Sequence, residues 1–148
     1  MKIIIASDSF KGSLSTIEAA RFMEEGIRRV LPQAEIVKIP IADGGEGTVT
    51  AMVEGLGGQY RKKEVTGPLR ERISAQYGIL PDHSAVIEIA AACGLPLVAP
   101  ENRNVMRATS FGAGELVLDA LRQGCRKIYI GLGGSATNDC GVGLIQAL

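Results

Sequence analysis

Two hydrophobic periods alternate along this chain, and the places where one gives way to the other mark its elements. Near the start, KIIIAS is a short apolar run rich in β-branched residues, which predicts a strand buried on both faces as in parallel sheets. In STIEAARFMEEGIRRVLP, residues Ile17, Ala20, Met23, Ile27 and Val30 recur at helical spacing. Ser15 and Glu18 there form a capping-box pattern, and Pro32 stops the run. EIVKIPIA reads as the next strand, so strand, helix and strand predict one right-handed βαβ unit with parallel strands. A second helix is carried by GTVTAMVEGL, where Val49, Met52, Val53 and Leu56 share a face and Gly57 supplies the stop.

From Gln59 to Ala90 the texture changes to strand-like pieces, QYRKKEVTG, RISAQYGIL and AVIEIA, separated by the turns GPLRE and PDHS. These predict antiparallel hairpins and a second domain or insertion beginning near Lys63. The chain thus divides into expected units at 1–62 and 63–148. A loop with Pro96 and Pro100 precedes TSFGAGELVLDALRQG, a helix with Thr109 or Ser110 as N-cap and Gly124 as stop. Its inner face is expected to hold Ala113, Leu116, Val117, Ala120 and Leu121. KIYIG then reads as a buried strand that delivers the loop GLGGSATNDCG.

Composition narrows the function classes. Hydrophobic residues make up 46% of 148, enough for a core, and sixteen basic residues balance sixteen acidic ones. No overall field favours nucleic acid or an anionic membrane, and no apolar stretch reaches membrane-spanning length. The basic run YRKKE ends in an acid and reads as a solvated strand face. Cys93, Cys125 and Cys140 lie far apart without CxxC spacing, which argues against a disulfide framework or a zinc site and suits a reducing cytoplasm.

Three polar, glycine-bearing loops follow predicted strands, the end at which open parallel sheets bind ligands. In SDSFKGSLS, Asp8, Ser9, Lys11 and Ser13 precede a helix, a setting that favours an anion such as phosphate. Simple helix capping beside a solvated lysine is the alternative. In ADGGEGT, Asp43 and Glu46 flank two glycines and suit Mg²⁺, or else Asp43 stabilises its own turn. The third loop matches G-x-G-x-x-A at Gly131, Gly133 and Ala136, a relaxed dinucleotide fingerprint and the basis of an NAD(P)-binding alternative. Gly133, Gly134, Ser135, Asn138 and Asp139 offer it more donors than that fingerprint needs, enough to hold phosphate oxygens while Asp139 binds a metal or takes a proton. No Walker A pattern occurs. Glu88 ends a strand in EIAAACGL, as a pocket wall or a tight corner, and His83 reads as an exposed turn residue.

In order, DSFKGSLS, PIADGGEGT, VTGPL, IEIAAACGLPLV, ATSFGAGEL and GLGGSATNDCG resemble the glycerate kinase family of the bacterial two-domain type, from Met1 to Leu148. The resemblance implies an α/β fold with a Rossmann-like parallel sheet and a second, distinct α/β domain. It implies ATP-dependent phosphorylation of D-glycerate to 2- or 3-phosphoglycerate, with Mg²⁺, in the cytoplasm. The matching positions are Asp8, Ser9, Lys11, Ser13, Asp43, Gly44, Gly45, Glu46, Thr109, Ser110, Gly133, Gly134, Ser135, Asn138 and Asp139. On that footing Lys11 is expected at the transferring phosphate, and Asp43 and Glu46 at Mg²⁺ or the glycerate hydroxyls. The Gly133 to Ser135 backbone is expected at the nucleotide phosphates, with Asp139 or Asp8 as proton acceptor. Cys140 stands where the family motif has glycine, so it is strained only if its φ is positive, and Cys93 stands where serine is common. Family members continue past GLIQAL, so the chain reads as an N-terminal portion in which Leu144, Ile145 and Leu148 lack partners. A non-catalytic module that binds nucleotide or hydroxy acid is the second alternative.

Overall fold

A computed structural model describes residues 1–10 and 13–148. Strands β1 (Lys2–Ile5) and β2 (Glu35–Lys38) form a two-stranded parallel sheet, in register from Lys2 opposite Glu35 to Ile5 opposite Lys38. Helix α1 (Thr16–Val30) connects them, as the period-3.6 pattern predicts. Its capping box is complete, since the Ser15 amide donates to Glu18 Oε2 at 2.9 Å and the Glu18 amide donates to Ser15 Oγ at 3.2 Å.

Burial in this unit departs from expectation. Ile4 is 59% exposed, so β1 is not covered on both faces, and on α1 Ile17, Met23 and Val30 are 41, 39 and 77% exposed. The buried residues of α1 are instead Thr16, Ala19 and Ala20. Small side chains let the helix sit close to β1, and a sheet of two strands is too narrow to cover the rest of a wide apolar stripe.

The second sheet runs β3 (Gln59–Thr66), β4 (Arg72–Ile79), β5 (Ala85–Glu88) and β6 (Ile128–Gly131) in that spatial order. The β3–β4 and β4–β5 pairs are antiparallel, matching the expected hairpins, and β5–β6 is parallel. Residues 62 and 63 lie within β3. Strand pleating sends alternate side chains to opposite faces. Val86 faces α2 (Thr48–Leu56) in a cluster with Val49, Val53 and Leu80. Ala85, Ile87, Val65, Ala75 and Tyr77 form the larger core with Ala113, Leu116, Val117 and Ala120 of α4 (Phe111–Arg122). The mixed sheet is therefore sandwiched between α2 and α4, and Leu56, expected inside, is 58% exposed. Lys63, in the basic run read as a solvated face, reaches Asp119 at 3.0 Å, and Asp119 also accepts the Tyr77 hydroxyl at 2.9 Å.

Between β5 and α4 lie α3 (Ala90–Cys93) and two single tight turns at Leu95–Leu97 and Pro100–Asn102. The strand expected to be buried, β6, pairs only with β5 at the sheet edge and leaves Tyr129 and Ile130 39 and 40% exposed. α5 (Val142–Gln146) packs on α4; Leu144 joins the core, while Ile145 and Leu148 are exposed. His83 is exposed in its turn, and Cys93, Cys125 and Cys140 are free thiols. Among the described residues no helix is long and apolar enough to cross a membrane.

Candidate functional site

The parallel pair β5–β6 ends with Glu88 opposite Gly131, and the carboxyl end of such a pair is where α/β sheets bind ligands. The second and third loops meet there. The Gly133 amide donates to the Gly44 carbonyl at 3.0 Å. A Cβ on Gly133 would lie 2.5 Å from Gly45 Cα, and one on Gly131 2.5 Å from the Gly44 oxygen, so both positions need glycine for two backbones to touch. Thr48 braces the turn, its hydroxyl donating to the Gly45 carbonyl at 2.8 Å and accepting from the Gly44 amide at 3.1 Å. Asp43 accepts the Gly45 amide through Oδ1 at 3.0 Å, a self-stabilised turn that leaves its other oxygen and the exposed Glu46 carboxylate for a ligand.

A cavity of about 490 Å³ opens between the first and second loops, lined by Ser9 and Ser13 from the first, Glu46 from the second, Thr50 from α2 and Glu88 from β5. Asp8 and Asp43 are not among its lining residues. Asp8 is exposed and accepts the Ser9 amide at 2.6 Å. Lys11 and Gly12 lie outside the described residues.

The start of α1 was the expected anion site, with capping as the alternative; its capping box is complete, and the starts of α2 and α4 are likewise held by carboxylates. Glu18 serves α1, and Glu88 Oε1 accepts the Val49 amide of α2 at 2.7 Å. Asp139 Oδ2 accepts the Ser110 amide and hydroxyl at 2.9 Å each and the Gly143 amide at 3.2 Å, while Oδ1 accepts the Gly141 amide at 3.3 Å. One aspartate therefore ties the start of α4 to the start of α5. Of the two expected N-caps, Ser110 occupies the position but its hydroxyl serves this tertiary clamp, while Thr109 Oγ1 accepts the Phe111 amide at 3.2 Å. Backbone donors remain in the third loop, where the amides of Gly134, Ser135 and Asn138 have no protein acceptor among the described residues. The hydroxyls of Ser135 and Thr137 lie 2.7 Å apart beside them.

Two carboxyls are shifted in opposite directions. Burial alone would raise Asp139, but its bonds from Ser110, Gly143 and Gly141 outweigh that and hold it below the usual carboxylate range. Burial pushes Glu88 up, and bonds from Val49, Gly47 and Thr48 only partly offset it. Glu88 lies within the family motif IEIAAACGLPLV but was assigned no role there; of its two readings, pocket wall or tight corner, its place in the cavity lining favours the first.

For Mg²⁺ the donor chemistry fits, because Asp43 and Glu46 present hard oxygen ligands on an open turn. No group of three or more His, Cys, Asp or Glu side chains converges on a metal position among the described residues. A metal here would therefore draw most of its ligands from substrate phosphates and water.

The sequence pattern of the glycerate kinase family matches residues 3–148. The chain is 53% identical over 149 aligned residues to glycerate 2-kinase of Escherichia coli (strain K12), covering all of this chain and 39% of that protein. It is 52% identical to glycerate kinase of Bacillus subtilis (strain 168), with the same coverage of each. A crystal structure assigned to glycerate kinase 2 of Salmonella typhimurium LT2 superposes with a TM-score of 0.88 at 54% identity, over all of this chain and 40% of that one. The chain thus spans about two fifths of the length of these relatives. With a family pattern matched along nearly its whole length and the same fold in a similar protein, this chain belongs to the glycerate kinase family.

Proposed function

We propose that a polypeptide carrying this chain transfers the γ-phosphoryl group of ATP to D-glycerate, with Mg²⁺, forming 2-phosphoglycerate and ADP. The observation that carries this reading is the hydroxyl-bearing cavity between the first two loops, together with a third loop, bonded to the second, in which the amides of Gly134, Ser135 and Asn138 lack protein acceptors among the described residues. The 2-position follows the name of the Escherichia coli relative.

Phosphoryl transfer needs positioning and charge neutralisation more than covalent chemistry. Ser9, Ser13 and Glu46 hold glycerate through its hydroxyls, and Lys11 is assigned to the transferring phosphate. Asp43 and Glu46 would hold Mg²⁺, which neutralises phosphate charge when bound. The amides of Gly134, Ser135 and Asn138, with Gly133 fixing their loop, take the nucleotide phosphates. Asp139 is reassigned from proton acceptor to organiser, because its oxygens already take four donors. Thr109 and Ser110 then act on the substrate through that clamp. Asp8 is left as the acceptor of the glycerate hydroxyl proton. The division into units 1–62 and 63–148 is kept as a proposal, with the reaction placed in a reducing cytoplasm that suits three free thiols.

The dinucleotide reading is less well supported. The fingerprint needs a strand running straight into a helix, whereas β6 ends at Gly131 and α5 starts only at Val142. Gly133 faces the Gly45 backbone instead of open space.

The test is ADP release from ATP, Mg²⁺ and D-glycerate against the same mixture without glycerate. The product is identified by phosphorus NMR, where the 2-phosphate couples to one carbon-bound proton and the 3-phosphate to two. Glycerate-dependent ADP and a doublet are expected. Lys11→Ala and Asp43→Asn are each expected to lower kcat by about a hundredfold or more. Micromolar NADH binding by a folded chain that ignores ATP and glycerate would overturn the kinase reading. Glycerate binding without turnover would leave these 148 residues a binding role alone.

A further inference from the structure

We propose that Glu88 is a positioning residue that sets the reach between β5 and the Asp43–Glu46 loop; its bearing on glycerate rests on the function proposed above. The local N-cap of α2 is Gly47, at φ 95 and without a side chain to accept the first-turn amides. The missing acceptor arrives from thirty-nine residues further along, as Glu88 Oε1 takes the Val49 amide at 2.7 Å. Glu88 is also the register partner of Gly131, and the next residue, Ile89, donates its amide to the Gly131 carbonyl at 3.0 Å.

Thr48, the first residue of α2, grips the Gly44–Gly45 turn, whose Gly44 carbonyl takes the Gly133 amide at 3.0 Å. One side chain therefore fixes the helix start that carries the second loop, which in turn fixes the third. Since Glu88 also lines the cavity with Ser9, Ser13 and Glu46, any slack at this bond appears as slack between the residues proposed to hold glycerate. What the fold uses is an oxygen acceptor at the right distance, which an amide oxygen supplies as well as a carboxylate. Burial already disfavours the charge there.

Two substitutions separate reach from charge. Glu88→Gln keeps the length and an acceptor oxygen but loses the charge, whereas Glu88→Asp keeps the charge and is shorter by one methylene. Amide hydrogen exchange is read at Val49 and Gly133, with Tyr77 in the core as reference, and glycerate binding is titrated alongside. For Glu88→Asp, Val49 and Gly133 are expected to exchange about tenfold faster with Tyr77 unchanged, and glycerate affinity to fall about tenfold, the equivalent of one lost hydrogen bond. Glu88→Gln is expected to stay within about threefold of the original chain in both readouts.

The reverse order, with aspartate tolerated and glutamine not, would show that the charge itself acts and would overturn the proposal. So would equal behaviour of the two variants, whether both are silent or both impaired. Exchange decides the positioning role by itself. The expected exchange contrast between the two variants, with an original chain that binds no glycerate, would refute the proposed function while leaving the positioning role in place.

Discussion

Cys140 carries its side chain at φ 52, in the left-handed region where a Cβ is strained, and the glycine after it lies at φ 74. Cys140→Gly is expected to raise stability by about 1 kcal/mol, seen as a higher urea midpoint at unchanged slope. Its thiol is exposed, whereas Cys93 and Cys125 are buried and burial pushes both of those thiols up. A thiol reagent at mildly alkaline pH should therefore titrate one cysteine rapidly in the native chain and all three after denaturation. Asp139, beside it, is held below its usual range, so its contribution is present above the unfolded value of about 3.9 and is lost as pH falls through the folded value. Asp139→Ala is expected to cost about 2–4 kcal/mol at neutral pH. The stability gap between the two chains, followed by urea unfolding across pH, should narrow on the acid side. Glu88 has the opposite sign, because a carboxyl raised by burial costs stability as pH climbs past its unfolded value.

Hydrophobic period identified α1, α2 and α4, but the way each of these helices begins was legible only where the cap is local. Ser15 and Glu18 cap α1 within one turn, and Ser15→Ala should cost about 1 kcal/mol by urea unfolding. The starts of α2 and α4 are held by Glu88 and Asp139, 39 and 29 residues away from the amides they accept. No window of sequence displays such a partner. The meeting of the second and third loops has the same character, since Gly133 is spent on contact with Gly45, where the fingerprint would aim it at a pyrophosphate. Gly133→Ala is expected to destabilise by about 1–3 kcal/mol and to weaken ligand binding at both loops together, measured by urea unfolding and by titration with glycerate and ADP.

Across the whole molecule, apolar exposure is uneven. The α4 face of the mixed sheet is closed, with Ile87, Leu116 and Tyr77 fully buried, while α1 leaves Phe22 47% and Val30 77% exposed. Sedimentation of the chain should show self-association that grows with concentration, and Phe22→Glu with Val30→Lys should reduce it without lowering the urea midpoint. Balanced charge offers little repulsion to oppose such association.

The residues alone determined the α/β class, the parallel β1–β2 unit, the hairpins of the second sheet, the capping of α1 and, through six ordered motifs, the family. These are properties of local period, turn chemistry and short-range spacing, which a linear reading contains. Tertiary structure alone decided which apolar faces are covered, that β6 is an edge, and that α2 packs on the second sheet. It also decided that carboxylates from a distant strand and a distant loop hold the starts of α2 and α4. Burial and hydrogen-bond saturation belong to pairs of residues brought together by folding. The fate of Glu88 and Asp139 therefore became visible only once their partners were in place.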